Sequence, residues 1–221
     1  MSVQERLQAV RARIRSACER SGRDPAAVRL VGVVKGVPAA TVREAAAAGL
    51  ADVGENYVQE ANERRKALGE AALSLSWHFI GHLQTNKAPV AAQRFDMIHS
   101  VDSLRLAKQL DSRASARLPV LLEVNVAGEA SKSGFSPKEV GAAVAGVSEL
   151  PNLELQGLMT IAPAVSNPEE VRHVFRELRH LAEANGLPHL SMGMTDDFEV
   201  AIEEGATIVR IGRAIFGERS A

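Results

Sequence analysis

A few polar residues close apolar runs in this 221-residue chain, and their types point to specific chemistry. Lys35 ends the run VRLVGVVK (28–35), and on strand alternation it shares a face with Val31 and Val33. A lysine set among apolar neighbours can supply the neutral amine that attacks an aldehyde to form a Schiff base. It can equally snorkel from a strand end to water, and position alone favours that plainer role. Arg210 lies inside the run Thr207 to Gly212, between Val209 and Ile211. A buried guanidinium needs a partner. Glu55 or Glu123 would make it a structural ion pair, whereas a ligand atom would make it a binding residue. Ser191-Met192-Gly193 and Ile211-Gly212-Arg213 end two late apolar runs. Glycine permits close backbone approach there, and free N–H groups at a helical turn attract an anion such as phosphate. Ordinary turns use glycine as well, so the two readings weigh equally on these residues alone.

Other polar residues carry weaker signals. His78 and His82 are four apart but straddle a strand and a turn, and no cysteine or carboxylate stands at zinc-site spacing. Ser191 lacks the G-x-S-x-G context of a strained nucleophile. Asp196 and Asp197 read as helix caps, and Lys132 sits in a polar loop. Cys18 falls on the apolar stripe of the first helix and reads as a small buried residue.

The elements that must position these residues alternate. A first helix carries the stripe Val3, Leu7, Val10, Ile14 and Ala17 and stops near Ser21-Gly22. Strands are expected at 28–35, 51–53, 77–80, 97–99, 119–126, 155–159, 189–192 and 207–212. Helices are expected at 38–48, 55–68, 83–93 (with Pro89 interrupting), about 103–116, 136–148, from 167 onward, 195–204 and 214–216. Ala127 to Phe135 reads as a loop. Eight strand–helix units in this length argue for a closed, parallel (β/α)8 TIM-type barrel with an extra N-terminal helix, as one domain over 1–221. An open doubly wound sheet is the runner-up, but no G-x-G-x-x-G follows the first strand. Active faces of such barrels lie at the C-terminal ends of the strands. Lys35, Asn56, His82, Met159, Ser191, Gly193, Gly212 and Arg213 should therefore converge on one mouth.

Composition excludes several functions. With 26 basic and 27 acidic residues and 4% aromatics, the chain has neither the charge nor the stacking surface of a nucleic-acid binder. No apolar run is long enough for a membrane span, and the early charges Glu5, Arg6, Arg11 and Arg13 leave no signal-peptide core. A single cysteine allows no internal disulfide, so a cytoplasmic protein is expected.

The segments VGVVKGVP (31–38), GENYVQE (54–60), WHFIGHLQTNK (77–87), IHSVDS (98–103), EVNVAGEASKSGF (123–135), GLMTI (157–161), LSMGMTDDFEVAIEEGAT (190–207) and VRIGRAIFG (209–217) together resemble the pyridoxal phosphate homeostasis protein family. That family is a stand-alone version of the alanine racemase N-terminal barrel. The resemblance covers nearly the whole chain, with its motifs in order. It implies pyridoxal 5′-phosphate (PLP) held as a Schiff base on Lys35, Arg210 at the pyridine nitrogen, and the phosphate at Ser191, Gly193, Gly212 and Arg213. Asn56 would lie near the ring, with His82 and Met159 at the mouth. The chain departs from a common family pattern at Val34 and Gly36, where many relatives have serine and threonine, and at Arg213, where many have threonine. These changes imply fewer hydroxyl contacts and an added charge facing the phosphate.

The resemblance further implies a monomeric carrier that holds PLP without efficient turnover and passes it to apo-enzymes. Racemases of this fold add a tyrosine from a C-terminal domain, whereas the one tyrosine here, Tyr57, belongs to the second strand–helix segment. The alternatives are a PLP-dependent amino-acid racemase of low activity, and a barrel for another phosphorylated ligand without a Schiff base.

Overall fold

Short apolar runs separated by helical stripes fold as parallel strands only if helices cover the sheet's outer face and something fills its inner one. A computed structural model describes residues 1–129 and 131–218; Ala130, in the expected Ala127–Phe135 loop, and residues 219–221 lie outside it. The strands are β1 (Arg29–Val33), β2 (Asp52–Glu55), β3 (Ser76–Phe79), β4 (Met97–Val101), β5 (Leu118–Glu123), β6 (Leu153–Met159), β7 (His189–Ser191) and β8 (Ile208–Ile211). Each pairs in parallel with the next, and β8 pairs with β1 through Val31 and Arg210. The sheet closes, giving the expected (β/α)8 barrel.

The helices are α1 (Val3–Arg20), α2 (Ala39–Ala47), α3 (Val58–Leu68), α4 (Ala88–Arg94), α5 (Leu104–Asp111), α6 (Val140–Ser148), α7 (Arg172–Ala184), α8 (Phe198–Glu203) and α9 (Arg213–Phe216). The extra helix α1 starts with a capping box in which Ser2 and Glu5 satisfy each other's backbone N–H groups. Its buried face, which includes Cys18, packs against α8, α9 and α2. Arg6 Nε donates to the Ile215 carbonyl at 2.7 Å, tying α1 to the turn that follows β8.

Two apolar cores result. A large outer core fills the space between strands and helices, with Trp77, Phe79, Phe175 and Phe198 among its bulkiest members. A small inner one consists of Val31, Met97, Leu121, Met159 and Ile208. The inner core is small because other inward positions carry polar groups, and these form the site described below.

Boundaries differ from the sequence expectation for local reasons. β1 stops at Val33 and not at Lys35. Val34 N–H still reaches the Gly54 carbonyl at 3.0 Å, but Val37 N–H then closes a turn onto the Val34 carbonyl at 2.9 Å. Pro38, without an N–H, heads α2. Pro89 does not interrupt its helix; it occupies the first turn of α4, after a 3₁₀ turn over Thr85–Lys87. α5 ends at Asp111, short of Ala116, where Ser112 N–H closes the last turn onto Lys108.

β5 and β6 shift register between Val120 and Leu121, whose partners are Leu155 and Gly157, leaving Gln156 as the extra residue of a bulge. A Cβ at Gly157 would collide with the His189 carbonyl of β7, which is backbone and cannot swing aside. Gly157→Ala is therefore expected to destabilise the barrel by about 3 kcal/mol, the upper range for overpacking. Urea unfolding measures this, and a change below about 1 kcal/mol would contradict the packing described.

Candidate functional site

Arg210 is the polar centre of the barrel. It sits on β8, 3% exposed, facing inward beside the apolar inner core. Neither Glu55 nor Glu123 bonds to it. Glu55 pairs instead with Arg64 of α3, Nε to Oε1 at 2.7 Å, because β2 alternation turns Glu55 away from the barrel axis. Arg210 Nη1 donates to Ser191 Oγ at 2.7 Å and Nη2 to the Thr160 carbonyl at 2.9 Å. Burial lowers the guanidinium to about 10, with the charges of Asp197 and Glu123 acting in the opposite sense, so it stays charged at neutral pH.

Ser191 connects Arg210 to a buried chain of polar groups. Its Oγ lies 2.8 Å from His99 Nδ1, and His99 Nε2 lies 2.9 Å from His78 Nδ1. His78 Nε2 in turn lies 2.9 Å from Asp52 Oδ1. Ser191, His99 and His78 are all fully buried. Burial first, then the neighbouring His78 and the positive charge of Arg210, hold His99 well below the ordinary imidazole value.

The turn after β7 depends on a glycine. Gly193 has φ +91°, and a Cβ there would come within 2.6 Å of Ala201 Cβ and 2.8 Å of Phe198 Cα. Its carbonyl accepts from Arg210 N–H at 3.0 Å. Asp197 does not cap α8 with its side chain; it accepts from Met194 N–H at 2.6 Å and so fixes this turn from behind. Burial pushes its carboxyl up, and the Met194 N–H and Arg210 draw it back. Asp196 likewise caps no helix but binds Arg213, which also reaches Glu218 at 3.4 Å. The charge of Arg213 is thus neutralised by carboxylates, where the sequence suggested a charge free for a phosphate. Gly212 keeps an ordinary negative φ of −108°. Its position has room at the Val33 side, so it offers no forced approach of the Gly193 kind.

Lys35 stands two residues beyond β1, half-buried, with no hydrogen bond or ion pair among the described residues. Gly36 beside it has φ +68°. Asn56 and His82 line a cavity of about 650 Å³ with Tyr57, Phe79, Leu83 and Lys87. His82 is exposed there, 3.3 Å from Asp102 and 3.2 Å from Ser133 Oγ. Met159 belongs to the inner apolar core and is fully buried. The structure thus joins Arg210, Ser191 and Gly193 directly, and Asn56 with His82. Gly212 and Arg213 follow β8, next to the strand that leads to Lys35.

Sequence reasoning placed His99 at the end of the fourth strand, among the residues that should converge on the mouth, and weighed His78 only with His82 as a metal candidate; it missed that the two bond to each other behind Ser191. Alternation on Trp77-His78-Phe79 and Met97-Ile98-His99 was the available signal, since each histidine opposes outward apolar residues on a barrel strand. Glu123 was weighed only as a possible partner for Arg210. It is 8% exposed, and burial, then Asp102, pushes its carboxyl up, while Arg210 and His82 draw it down. No cluster of three metal-ligating side chains occurs among the described residues, and no helix of the described residues is long and apolar enough to cross a membrane.

Comparison with known proteins places the chain in a family. The model for the alanine racemase N-terminal domain matches residues 6–220. A pyridoxal phosphate homeostasis protein of Pseudomonas aeruginosa is 50% identical over 99% of this chain and 96% of its own length. Another, from Aquifex aeolicus, is 49% identical over 99% of both. The solved structure of PipY from Synechococcus elongatus with PLP bound is 36% identical, covers 98% of this chain and 100% of that one, and superposes with a TM-score of 0.84.

The buried His99 generates a pH prediction. Above its ordinary value of 6.5 the imidazole is neutral folded and unfolded, and contributes no pH dependence. Below 6.5 the unfolded chain takes up a proton that the native state refuses, so stability is lost as pH falls. The slope approaches about 1.4 kcal/mol per pH unit. His99→Gln lacks this response, so the stability of wild type relative to the variant should fall between pH 7 and 5. A pH-independent difference in paired urea titrations would show that His99 titrates normally.

Proposed function

The chain belongs to the pyridoxal phosphate homeostasis protein family, built on the alanine racemase N-terminal barrel, and from that premise we propose that it binds PLP as a Schiff base on Lys35 and serves intracellular PLP homeostasis. The observation that carries the reading is the pairing of two opposite conditions. Lys35 has no partner among the described residues, whereas Arg210 is buried and held by two internal bonds. A guanidinium has five N–H donors, so Arg210 retains donors for a ligand acceptor.

The residues fit the cofactor. Lys35 would supply the amine and Arg210 would face the pyridine nitrogen, while Gly193 lets the turn after β7 pack tightly on Phe198 and Ala201 of α8 at the end where the phosphate would sit. Ser191 belongs to the same end through its bond to Arg210, and Gly212 with Arg213 opens the short helix after β8. Arg213, pinned by Asp196, supports that turn through the carboxylate and does not itself offer a free charge. Asn56 and His82 line a cavity with Tyr57, Leu83 and Lys87 that includes neither Lys35 nor Arg210, and Met159 belongs to the apolar inner core of the barrel.

Bound PLP supplies an electron-withdrawing ring, but a ring that accepts from a guanidinium and is not protonated by it withdraws electrons weakly. Arg210 therefore favours holding the cofactor over catalysis with it. Tyr57, the one tyrosine, is 55% exposed at the start of α3 and bonds to none of the site residues. The reading is a cytoplasmic, monomeric carrier that passes PLP to apo-enzymes. A second reading, racemisation of low activity, is favoured by Glu123, a buried carboxyl near the Arg210 charge that can hold a proton.

Purified protein mixed with PLP should show a visible Schiff-base absorbance band. Borohydride should fix the cofactor on Lys35, as mapped by mass spectrometry, and Lys35→Ala should lose both signals. Cofactor fixed on Lys132 would overturn the site. Solvent-deuterium exchange at the α-carbon of amino acids, followed by NMR, separates the two functional readings. The carrier reading expects negligible exchange, and robust exchange lost in Glu123→Gln would establish the racemase.

A further inference from the structure

The chain Asp52–His78–His99–Ser191–Arg210 has two ends of fixed character. A guanidinium can only donate, and a carboxylate can only accept. Arg210 Nη1 points a proton at Ser191 Oγ, so the serine must send its own proton elsewhere, and His99 Nδ1 is 2.8 Å away. His99 Nδ1 is then bare and its proton lies on Nε2, facing His78 Nδ1 at 2.9 Å. His78 Nδ1 is bare in turn and its proton lies on Nε2, facing Asp52 Oδ1 at 2.9 Å. The reverse direction fails at both ends. It would aim two donors at Ser191 Oγ with no acceptor for the serine proton, and it would set a bare His78 Nε2 against a carboxylate oxygen. Arg29 Nε, 3.8 Å from the same oxygen, reinforces Asp52 as an acceptor.

We propose that His78 and His99 are positioning residues for Arg210: they transmit the acceptor character of Asp52 through the barrel, so that Ser191 presents a lone pair to the guanidinium and fixes the direction of its remaining donors. The proposal rests on the reading of Arg210 as the residue that faces the cofactor ring. Asp52, His78 and His99 touch no cofactor atom in this scheme and are not catalytic residues. All three intermediate side chains are shut off from water, so no solvent molecule competes for their protons. Asp52 alone is reachable, with a side chain 18% exposed, and it is the first residue of β2, at the strand end opposite Asn56. A change at the base of the barrel therefore reaches the cofactor-facing end without altering any residue at the mouth.

Imidazole nitrogen NMR on cofactor-free protein reads the direction of the chain. The wild type should carry the proton on Nε2 of both His78 and His99. Asp52→Ala removes the terminal acceptor and should shift His78 and His99 together towards their Nδ1-protonated forms, since a proton on His78 Nδ1 needs a bare His99 Nε2 opposite it. The substitution should also speed PLP dissociation by about fivefold, the equivalent of one neutral hydrogen bond. Asp52→Asn, whose amide oxygen still accepts, should restore both signals. A wild-type proton on Nδ1 of either histidine would overturn the proposal. So would an Asp52→Ala protein with unchanged tautomers and unchanged dissociation. Borohydride fixation on Lys35 is measured in parallel. Its failure in wild type would remove the cofactor reading, while the NMR tautomers would still decide the direction of the chain.

Discussion

A guanidinium inside a closed barrel has to be solvated by the protein, and the arrangement of the upper barrel follows from that need. Desolvation opposes the Arg210 charge, the carboxylates of Asp197 and Glu123 offset it, and the groups around the guanidinium come from four other strands or their ends. Ser191 closes β7, the Thr160 carbonyl follows β6, Glu123 ends β5, and His99 on β4 backs the serine. Only closure of the sheet brings these together. An open sheet would leave β1 and β8 at opposite edges, whereas here Val31 and Arg210 are register partners.

The same constraint divides the barrel interior. Five apolar side chains fill part of it, and a line of hydrogen-bonded polar groups fills much of the rest. A half-satisfied polar line would be costly in such surroundings. This one ends on a pure donor and a pure acceptor, so each member has its partner. The turn after β7 is braced in the same way, with Asp197 holding Met194 from behind and Asp196 holding Arg213 across from the β8 end. For the proposed cofactor these features favour retention. In that proposal the arginine would orient a ring without protonating it, and the braced turn would hold the phosphate end.

Much of this was legible in the sequence. Eight apolar runs between helical stripes were enough for the barrel, because strand length and helix periodicity are local properties. Lys35, Arg210, Ser191 and Gly193 were visible as polar residues or glycine at strand ends. What could not be read was the identity of partners. Glu55 and Glu123 looked equally suited to Arg210, but the direction of a β2 side chain, set by where β2 begins, sent Glu55 to Arg64. Asp196 and Asp197 looked like helix caps, yet both reach backward or across to turns that are distant or ambiguous in sequence. His78 and His99 meet across 21 residues, and His99 meets Ser191 across 92. Contacts of that range depend on barrel shear, which no local pattern encodes.

The central claim is that Arg210 meets the cofactor ring as a hydrogen-bond donor and leaves the ring nitrogen unprotonated. The nitrogen chemical shift of ¹⁵N-labelled PLP bound to the protein tests it directly. A shift in the range of a hydrogen-bonded neutral pyridine, moving towards that of a free pyridine when Arg210 is replaced by alanine, is the predicted result. A pyridinium shift in the wild-type protein would contradict the account.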